Sequence, residues 1–358
     1  MPFYHNIDNA SPEGKRTIQN LLRLRQALDV SIPPKNLDHS IILATWNLRE
    51  FDSLSFGRRM DESFYHIAEI ISRFDLVAIQ EIRKDLTALK KLQEILGSNW
   101  KYIVSDVTEG SKGNKERMGF LYDGRKIKFS GLAGELVLPP LEYTENGKRK
   151  YRPISQLART PFMCGFKAGW TKFILATVHV LYGTDSAKDP LRIEEIEQIA
   201  GQLKKRTQDK TAWSKNLILL GDFNIFKKDD ETYKAITKSG FSVPKELQEL
   251  PGSNIQQNRH YDQIAFRARK GRLVCTGKAG IFDFFDHVFR KKDEADYVVN
   301  MGEKYIKTSK GKIRDEKSKS RYYKTYWRTH QMSDHLPMWL ELRINHGDEY
   351  LKQMLAAK

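Results

Sequence analysis

Apolar residues recur along this chain in two alternating rhythms, and the alternation predicts a layered interior of strands and helices. Ile41–Trp46 is a strand-length apolar run, and residues 62–73 then carry Phe64, Ile67, Ile70 and Ile71 at helical spacing. Leu76–Ile79 returns to a short buried strand, and residues 85–96 place Leu86, Leu89, Leu92 and Leu96 on one helical face. Strands are expected near Tyr102–Ser105, Met118–Tyr122, Phe162–Phe166 and Phe173–His179. A helix follows over 190–206, then a strand at Leu217–Leu220, with Tyr261–Phe266 and Pro337–Ile344 as the last two. Continuous apolar runs of this kind belong to strands covered on both faces.

Ahead of this pattern, residues 1–39 hold one helix. Ser11 can cap it, Pro12 suits its first turn, and Ile18, Leu21, Leu22 and Leu28 form an apolar stripe. Ile32-Pro33-Pro34 stops it. This extension either packs on the main domain or serves a partner. The expected organisation is an extension over 1–39, one domain over 40–345 with a basic insertion at about 290–330, and a C-terminal helix over 346–358.

Composition adds partners to the picture. The chain has 358 residues, a net charge of +16 and a hydrophobic fraction of 40%. That fraction can fill a sizeable core, and the charge attracts polyanions. Cys164 and Cys275 lie in apolar or β-like contexts without metal-type spacing, which favours buried free thiols. The first residues lack a secretory pattern, and no stretch is long enough to span a bilayer. A soluble, cytoplasmic protein with no membrane partner is the expectation.

Residues 304–328 break the rhythm. Ten positive side chains, among them Lys310, Lys312, Lys317 and Lys319, stand against Asp315 and Glu316, with Tyr322, Tyr323, Tyr326 and Trp327 near the end. Dense charge with Gly and Ser suggests an exposed insertion. A solvated loop is one reading. A nucleic-acid clamp is the other: cations would neutralise phosphates while Tyr326 and Trp327 stack on bases. Closeness in sequence to Asp334 favours the clamp.

The candidate chemistry sits where strands stop, which is where αβ scaffolds present their sites. Asn47 follows the first strand, Gln80-Glu81 the second, and His179 ends another. Gly221-Asp222-Phe223-Asn224 follows Leu217–Leu220, and Ser333-Asp334-His335 precedes the last strand. Singly, each has a structural explanation: Glu81 as a helix cap, Asp222 and Asn224 as a turn, His179 as a buried structural histidine. Together they suit phosphodiester hydrolysis. That reaction needs a hard cation on oxygen ligands and proton transfer at the entering and leaving oxygens.

These residues carry a resemblance. TWNLR at 45–49, IQEIR at 79–83, KERMGFLYD at 115–123, TVHV at 177–180, LLGDFN at 219–224, YDQI at 261–264 and SDHLP at 333–337 resemble the endonuclease/exonuclease/phosphatase superfamily. Arg83, KER, ARTPF at 158–162 and FDFFDHVF at 282–289 are most similar to its pancreatic-type deoxyribonuclease (DNase I-like) branch. The resemblance implies an α+β fold: a four-layer α/β/β/α sandwich of two packed, mostly antiparallel β-sheets flanked by helices. It implies Mg²⁺ or Mn²⁺, with Ca²⁺ as a further structural ion. Glu81 would be the main metal ligand, with Asn47 and Asp334 beside it. Asp222 and Asn224 would orient phosphate or water. His179 would pair with Glu116, and His335 with Asp262. Arg83 and Arg159 would contact DNA. Asn114 stands on the substrate side, where the branch commonly has a sugar-stacking tyrosine. The branch's disulfides are absent, which fits a reducing compartment.

A DNA endonuclease leaving 5′-phosphate and 3′-hydroxyl ends is the leading expectation. The alternatives are a phosphatase or phosphodiesterase acting on inositol phosphates, lipids or nucleotides, an abasic-site endonuclease, and a non-catalytic binding module. An intracellular deoxyribonuclease endangers its own genome, so restraint by a protein partner, by localisation or by substrate choice is expected.

Overall fold

The computed structural model describes residues 1–51, 53–109, 113–269 and 271–356. Two sheets pack face to face. The first contains β1 (Ser40–Phe51), β2 (Leu76–Arg83), β3 (Trp100–Val104) and β4 (Glu116–Asp123). The second is built from β5 (Lys128–Glu135), β8 (Phe162–Ala168), β9 (Thr171–His179), β10 (Leu217–Asp222) and β11 (Asp262–Arg267), while β6 (Leu141–Glu145) and β7 (Lys148–Arg152) form a separate hairpin. The last strands, β12 (Cys275–Ile281) and β13 (Met338–Arg343), complete the first sheet. Strand order is β12-β13-β1-β2-β4-β3 in one sheet and β11-β10-β9-β8-β5 in the other.

Each sheet is antiparallel except for one pair, β1 with β2 and β9 with β10. That exception positions the site. A parallel pair ends at one edge, so Asn47 sits opposite Gln80, and His179 opposite Asp222. The antiparallel neighbours begin where those strands stop. Glu116 therefore opens β4 opposite Arg83, and Asp262 opens β11 opposite Asp222.

Period-two burial divides β1 between two cores. Ile41 and Leu43 join Leu175, Leu220 and Leu340 between the sheets, while Ile42, Ala44 and Trp46 face the helices. Three helices cover that outer face: α1 (Pro12–Ser31), α2 (Asp61–Ser72) and α3 (Thr87–Leu96). On the other side α4 (Pro190–Gln208) packs against the second sheet through Ile196, Ile199 and Leu203, and it also contacts α5 (Glu231–Lys238). The four-layer α/β/β/α sandwich is therefore the fold. No helix among the described residues is long and apolar enough to cross a membrane.

The N-terminal helix packs on the domain. The Ser11 hydroxyl caps it by accepting from the Gly14 N–H at 3.0 Å. Arg16 and Asn20 reach the buried Glu62 of α2 at 3.0 and 2.7 Å, and Arg25 reaches the buried Glu69 at 3.0 Å. The apolar stripe differs in one member: Leu24 is buried and Leu22 is exposed. The C-terminal helix runs Gly347–Ala356, and the last two positions of the expected 346–358 lie outside the described residues. Cys164 and Cys275 are both free thiols, but only Cys164 is fully buried.

The basic insertion corrects an expectation. It is not an exposed loop throughout. Tyr297, Met301, Tyr322, Tyr323 and Trp327 pack into the core beneath α1 and α2. Trp327 is buried with its ring 5.4 Å from Tyr297 and 6.0 Å from Tyr323. A base can stack only on a free aromatic face. Trp327 has none, and Tyr326 is half-buried with its ring stacked 6.0 Å from Phe56. Neither is a stacking platform for substrate in this conformation. Lys310, Lys312 and Lys317 are exposed, whereas Lys319 is half-buried and paired with Glu316 at 2.7 Å.

Candidate active site

The strand ends converge between the two sheets. Glu81 lies on an irregularity in β2, where the pairing with β4 shifts register between Ile79 and Ile82. Its φ is 62°, a left-handed conformation that re-aims the side chain out of the sheet. Arg49, Glu50, Asn114, Lys115 and Asn224 also have positive φ, so unusual backbone gathers around this edge.

Glu81 is partly exposed, and both its oxygens are engaged. Asn47 donates from Nδ2 to Oε1 at 2.9 Å, and the Glu50 N–H donates to Oε2 at 2.6 Å. The same Asn47 amide donates to Asp222 Oδ2 at 3.1 Å. Burial, together with the neighbouring Glu116 and Asp334 carboxylates, raises the Glu81 carboxyl pKa, and His179 only partly opposes this.

Two histidine–carboxylate pairs flank Asp222. His179 Nδ1 lies 2.6 Å from Glu116, and His335 Nδ1 lies 2.8 Å from Asp262. A carboxylate at Nδ1 favours the tautomer with the proton there and turns Nε2 toward the site. Both Nε2 atoms lie 3.6 Å from the same oxygen, Asp222 Oδ2. Burial lowers each imidazole pKa, but the carboxylates outweigh it. His179 is held above the ordinary histidine value, and His335 well above.

Other polar groups fix these positions. The Ser333 hydroxyl donates to the Asn47 carbonyl at 2.5 Å and accepts from the His335 N–H at 2.9 Å. Ser253 Oγ accepts the Asp262 N–H at 2.9 Å. Asn224 donates from Nδ2 to the Val180 carbonyl at 2.8 Å, and its own N–H donates to Asp222 at 2.9 Å. Asn224 is thus committed to bracing the loops after β9 and β10.

The cations divide. Arg159 is buried against Glu116, with its Nε facing the same oxygen that holds His179. Expected as a free contact for DNA, it is in this conformation the third member of a histidine–carboxylate–arginine cluster. Arg83 stays at the rim, half-buried, with Nη1 3.4 Å from the Asn114 carbonyl. Asp334 is the outermost acid and faces Arg49 Nε at 3.6 Å.

Two participants are not legible in the sequence as individual residues. Arg49 lies inside the TWNLR motif, yet its partners Thr329 and the Tyr326 carbonyl come from the insertion, about 280 positions away. Arg192 is fully buried and donates to the Tyr182, Thr184 and Asn224 carbonyls. A basic residue in the first turn after the Asp189-Pro190 cap is the available signal.

Among the described residues, no group of three or more His, Cys, Asp or Glu side chains is arranged to hold a metal ion. That does not conflict with the hard-cation expectation. Mg²⁺ commonly takes one or two carboxylates and keeps several waters. The donors also suit such an ion, because the acids around Glu81 repel one another and no cysteine is among them.

The fold has known counterparts. D. rerio TDP2 complexed with single-strand DNA product superposes with a TM-score of 0.52 at 13% identity, over 85% of this chain and 98% of that one. A functionally unknown conserved protein from Enterococcus faecalis V583 gives 0.51 at 17% identity, over 84% and 99%. An endonuclease/exonuclease/phosphatase family protein from Bacteroides thetaiotaomicron gives 0.50 at 15%, over 86% and 98%. In sequence, a deoxyribonuclease of Thioalkalivibrio sp. (strain K90mix) is 29% identical over 188 residues, 51% of this chain. The match spans 46% of that protein, so the chain aligns with under half the length of its curated relative. No protein-family model matches the chain. The chain shares the fold of the endonuclease/exonuclease/phosphatase proteins.

Proposed function

We propose that this chain is a divalent-metal-dependent phosphodiesterase acting on nucleic acid, and specifically a DNA endonuclease that leaves 5′-phosphate and 3′-hydroxyl ends. The observation that carries the reading is the convergence of two imidazoles, each held by its own carboxylate, on one oxygen of Asp222 at 3.6 Å. Hydrolysis of a phosphodiester needs proton transfer on both sides of phosphorus, and two oriented imidazoles supply it. The deoxyribonuclease relative and the net charge of +16 support DNA as the substrate.

In the proposed step, water oxygen bonds to phosphorus as the bond from phosphorus to O3′ breaks. One imidazole takes the proton that water loses, and the other supplies or stabilises the proton at O3′. Asp222 orients the water by accepting one of its hydrogens. Arg83 and Arg49, both half-buried, would meet the phosphate, and Lys310, Lys312 and Lys317 are exposed cations available to the flanking strand. A bound Mg²⁺ or Mn²⁺ would offset charge gathering on the phosphoryl oxygens, and Glu81, Asn47 and Asp334 are the donors we assign to it.

The test offers purified protein supercoiled plasmid, abasic duplex, RNA and an inositol polyphosphate. Plasmid nicking with Mg²⁺ or Mn²⁺, lost in EDTA, is expected, and the nicks should seal with ligase without end repair. Glu81→Gln should stay folded and lose activity by several orders of magnitude. His179→Ala and His335→Ala should each cost at least ~10²-fold, and less than the product when combined. Turnover of the inositol polyphosphate with untouched DNA would replace this reading by the phosphatase one.

A further inference from the structure

The hairpin β6–β7 belongs to neither sheet, and every residue of both strands is exposed. Asn146 and Gly147, with φ of 51° and 74°, close it in a tight turn whose twist matches the strands. Two paired strands alone in water are marginal at best, and this ribbon also exposes Leu141, Tyr143 and Tyr151. Such a ribbon is stabilised by what it docks on.

Its chemistry indicates the partner. Cross-strand pairs share a face, so Leu141 and Arg152, Tyr143 and Lys150, and Glu145 and Lys148 lie together. Lys148, Lys150 and Arg152 thus form a row with roughly 7 Å between successive members. Arg149, on the opposite face, pairs with Glu142 at 2.9 Å, and Lys150 with Glu145. Four cations against two acids, with aromatic rings among them, suit a polyanion that also offers flat apolar surface.

Its place in the fold indicates the geometry. The ribbon leaves the second sheet between β5 and β8, at the end where Glu135 pairs with Phe162. Phe162 pairs in turn with Thr177, two residues before His179. Leu136 donates to the Pro161 carbonyl at 2.9 Å, and Leu138 exchanges hydrogen bonds with the Gln156 side chain at 2.9 and 3.2 Å, so the base is tied down. The returning segment carries Arg159 into the site. Five residue pairs extend about 17 Å beyond that base.

We propose that β6–β7 is a nucleic-acid-binding arm that grips duplex flanking the reaction centre, with Lys148, Lys150, Arg152 and Tyr143 as its contact face. This rests on the phosphodiesterase reading of the site for its substrate class. A two-stranded ribbon is narrow enough to enter a major groove, and its cations reach phosphates that the site does not.

The test replaces Lys148, Arg149, Lys150 and Arg152 with Gln in the full chain. A second variant carries Tyr143→Ser and Tyr151→Ser. All six side chains are exposed, so an unchanged thermal midpoint is expected for both. On a duplex of 40 base pairs, the four-cation variant should raise KM at least ~10-fold with kcat within twofold. The salt slope of binding should fall by about 0.9 for each phosphate that is no longer neutralised. A dinucleotide, which fills only the reaction centre, should show no difference. Binding is read separately by anisotropy in Ca²⁺. Unchanged KM and salt slope on long duplex would overturn the arm, as docking of a protein there instead would require. So would an equal loss on both substrates. A wild-type chain that binds long duplex through the arm but cuts nothing in Mg²⁺ would leave the arm standing and remove the phosphodiesterase reading.

Discussion

The two histidine pairs are built reciprocally but braced differently. In one, His179 from the second sheet meets Glu116 from the first. In the other, His335, three residues before β13 of the first sheet, meets Asp262 from the second. Each pair therefore bridges the sandwich, and a slip between the sheets would break both. The bracing differs behind the carboxylates. Glu116 is shared with the buried Arg159, whereas Asp262 is tied through its own N–H to Ser253 and has one buried oxygen without a hydrogen bond. The Glu116 charge is thus divided between two cations, while that of Asp262 is directed at His335. The comparison separates a cluster that holds structure as well as an imidazole from a pair that mainly holds an imidazole.

The largest effect should come from the simpler pair. Asp262→Asn keeps size and the Ser253 contact but removes the charge that holds His335. Activity on plasmid should fall by ~10²–10⁴-fold, the scale for removing a carboxylate behind a catalytic histidine, with the thermal midpoint almost unchanged. A midpoint loss as great as that of Glu116→Gln would erase the distinction between the pairs.

Glu116→Gln should act on stability. It leaves the Arg159 guanidinium buried beside His179 without its counter-charge. Breaking a buried ion pair from one side costs about 3–5 kcal/mol. Adding Arg159→Met should restore more than half of that loss, because the stranded charge is removed. Denaturant unfolding of both variants at pH 5.5 measures this, and a stable single variant would mean that Arg159 needs no partner there.

The smallest effect concerns Glu195 of α4, which is buried within electrostatic reach of Arg159 and His179. Burial pushes its carboxyl up to about 7, with backbone bonds from Leu181 and Ala158 and the two cations opposing the shift. A carboxyl raised on folding keeps its proton after the unfolded chain has lost it. Stability from this group is complete below the ordinary glutamate value and is lost as pH rises to about 7. Relative to Glu195→Gln, the wild type should lose up to about 3 kcal/mol across that window. Parallel stability profiles for the two proteins would show that Glu195 does not titrate there. The His335 side should show no such window when Glu195 alone is changed.

The strands found from the pattern are mostly those covered on both faces. β1, β2, β9 and β10 announce themselves because every residue type along them must be compatible with burial. β5 and β12 form sheet edges, are largely exposed, and carry glycines at 131, 134, 277 and 280, so they lack an apolar run. The ribbon is signalled only by Asn146-Gly147 between short alternating segments, which is a local cue without a hydrophobic face.

What the sequence determined by itself is the order of polar motifs at strand ends and the cap at Ser11. These are local or periodic properties, set by where an apolar run stops and by what a helix start requires. Which face of each aromatic in the insertion remains free, which cation reaches Glu116, and how Arg49 meets Thr329 were decided only by tertiary structure. A buried tryptophan and a stacking tryptophan have the same side chain, and a rim arginine differs from a buried one only in its neighbours. Those neighbours come from segments tens to hundreds of residues away, brought together by the packing of the two sheets and the helical cap.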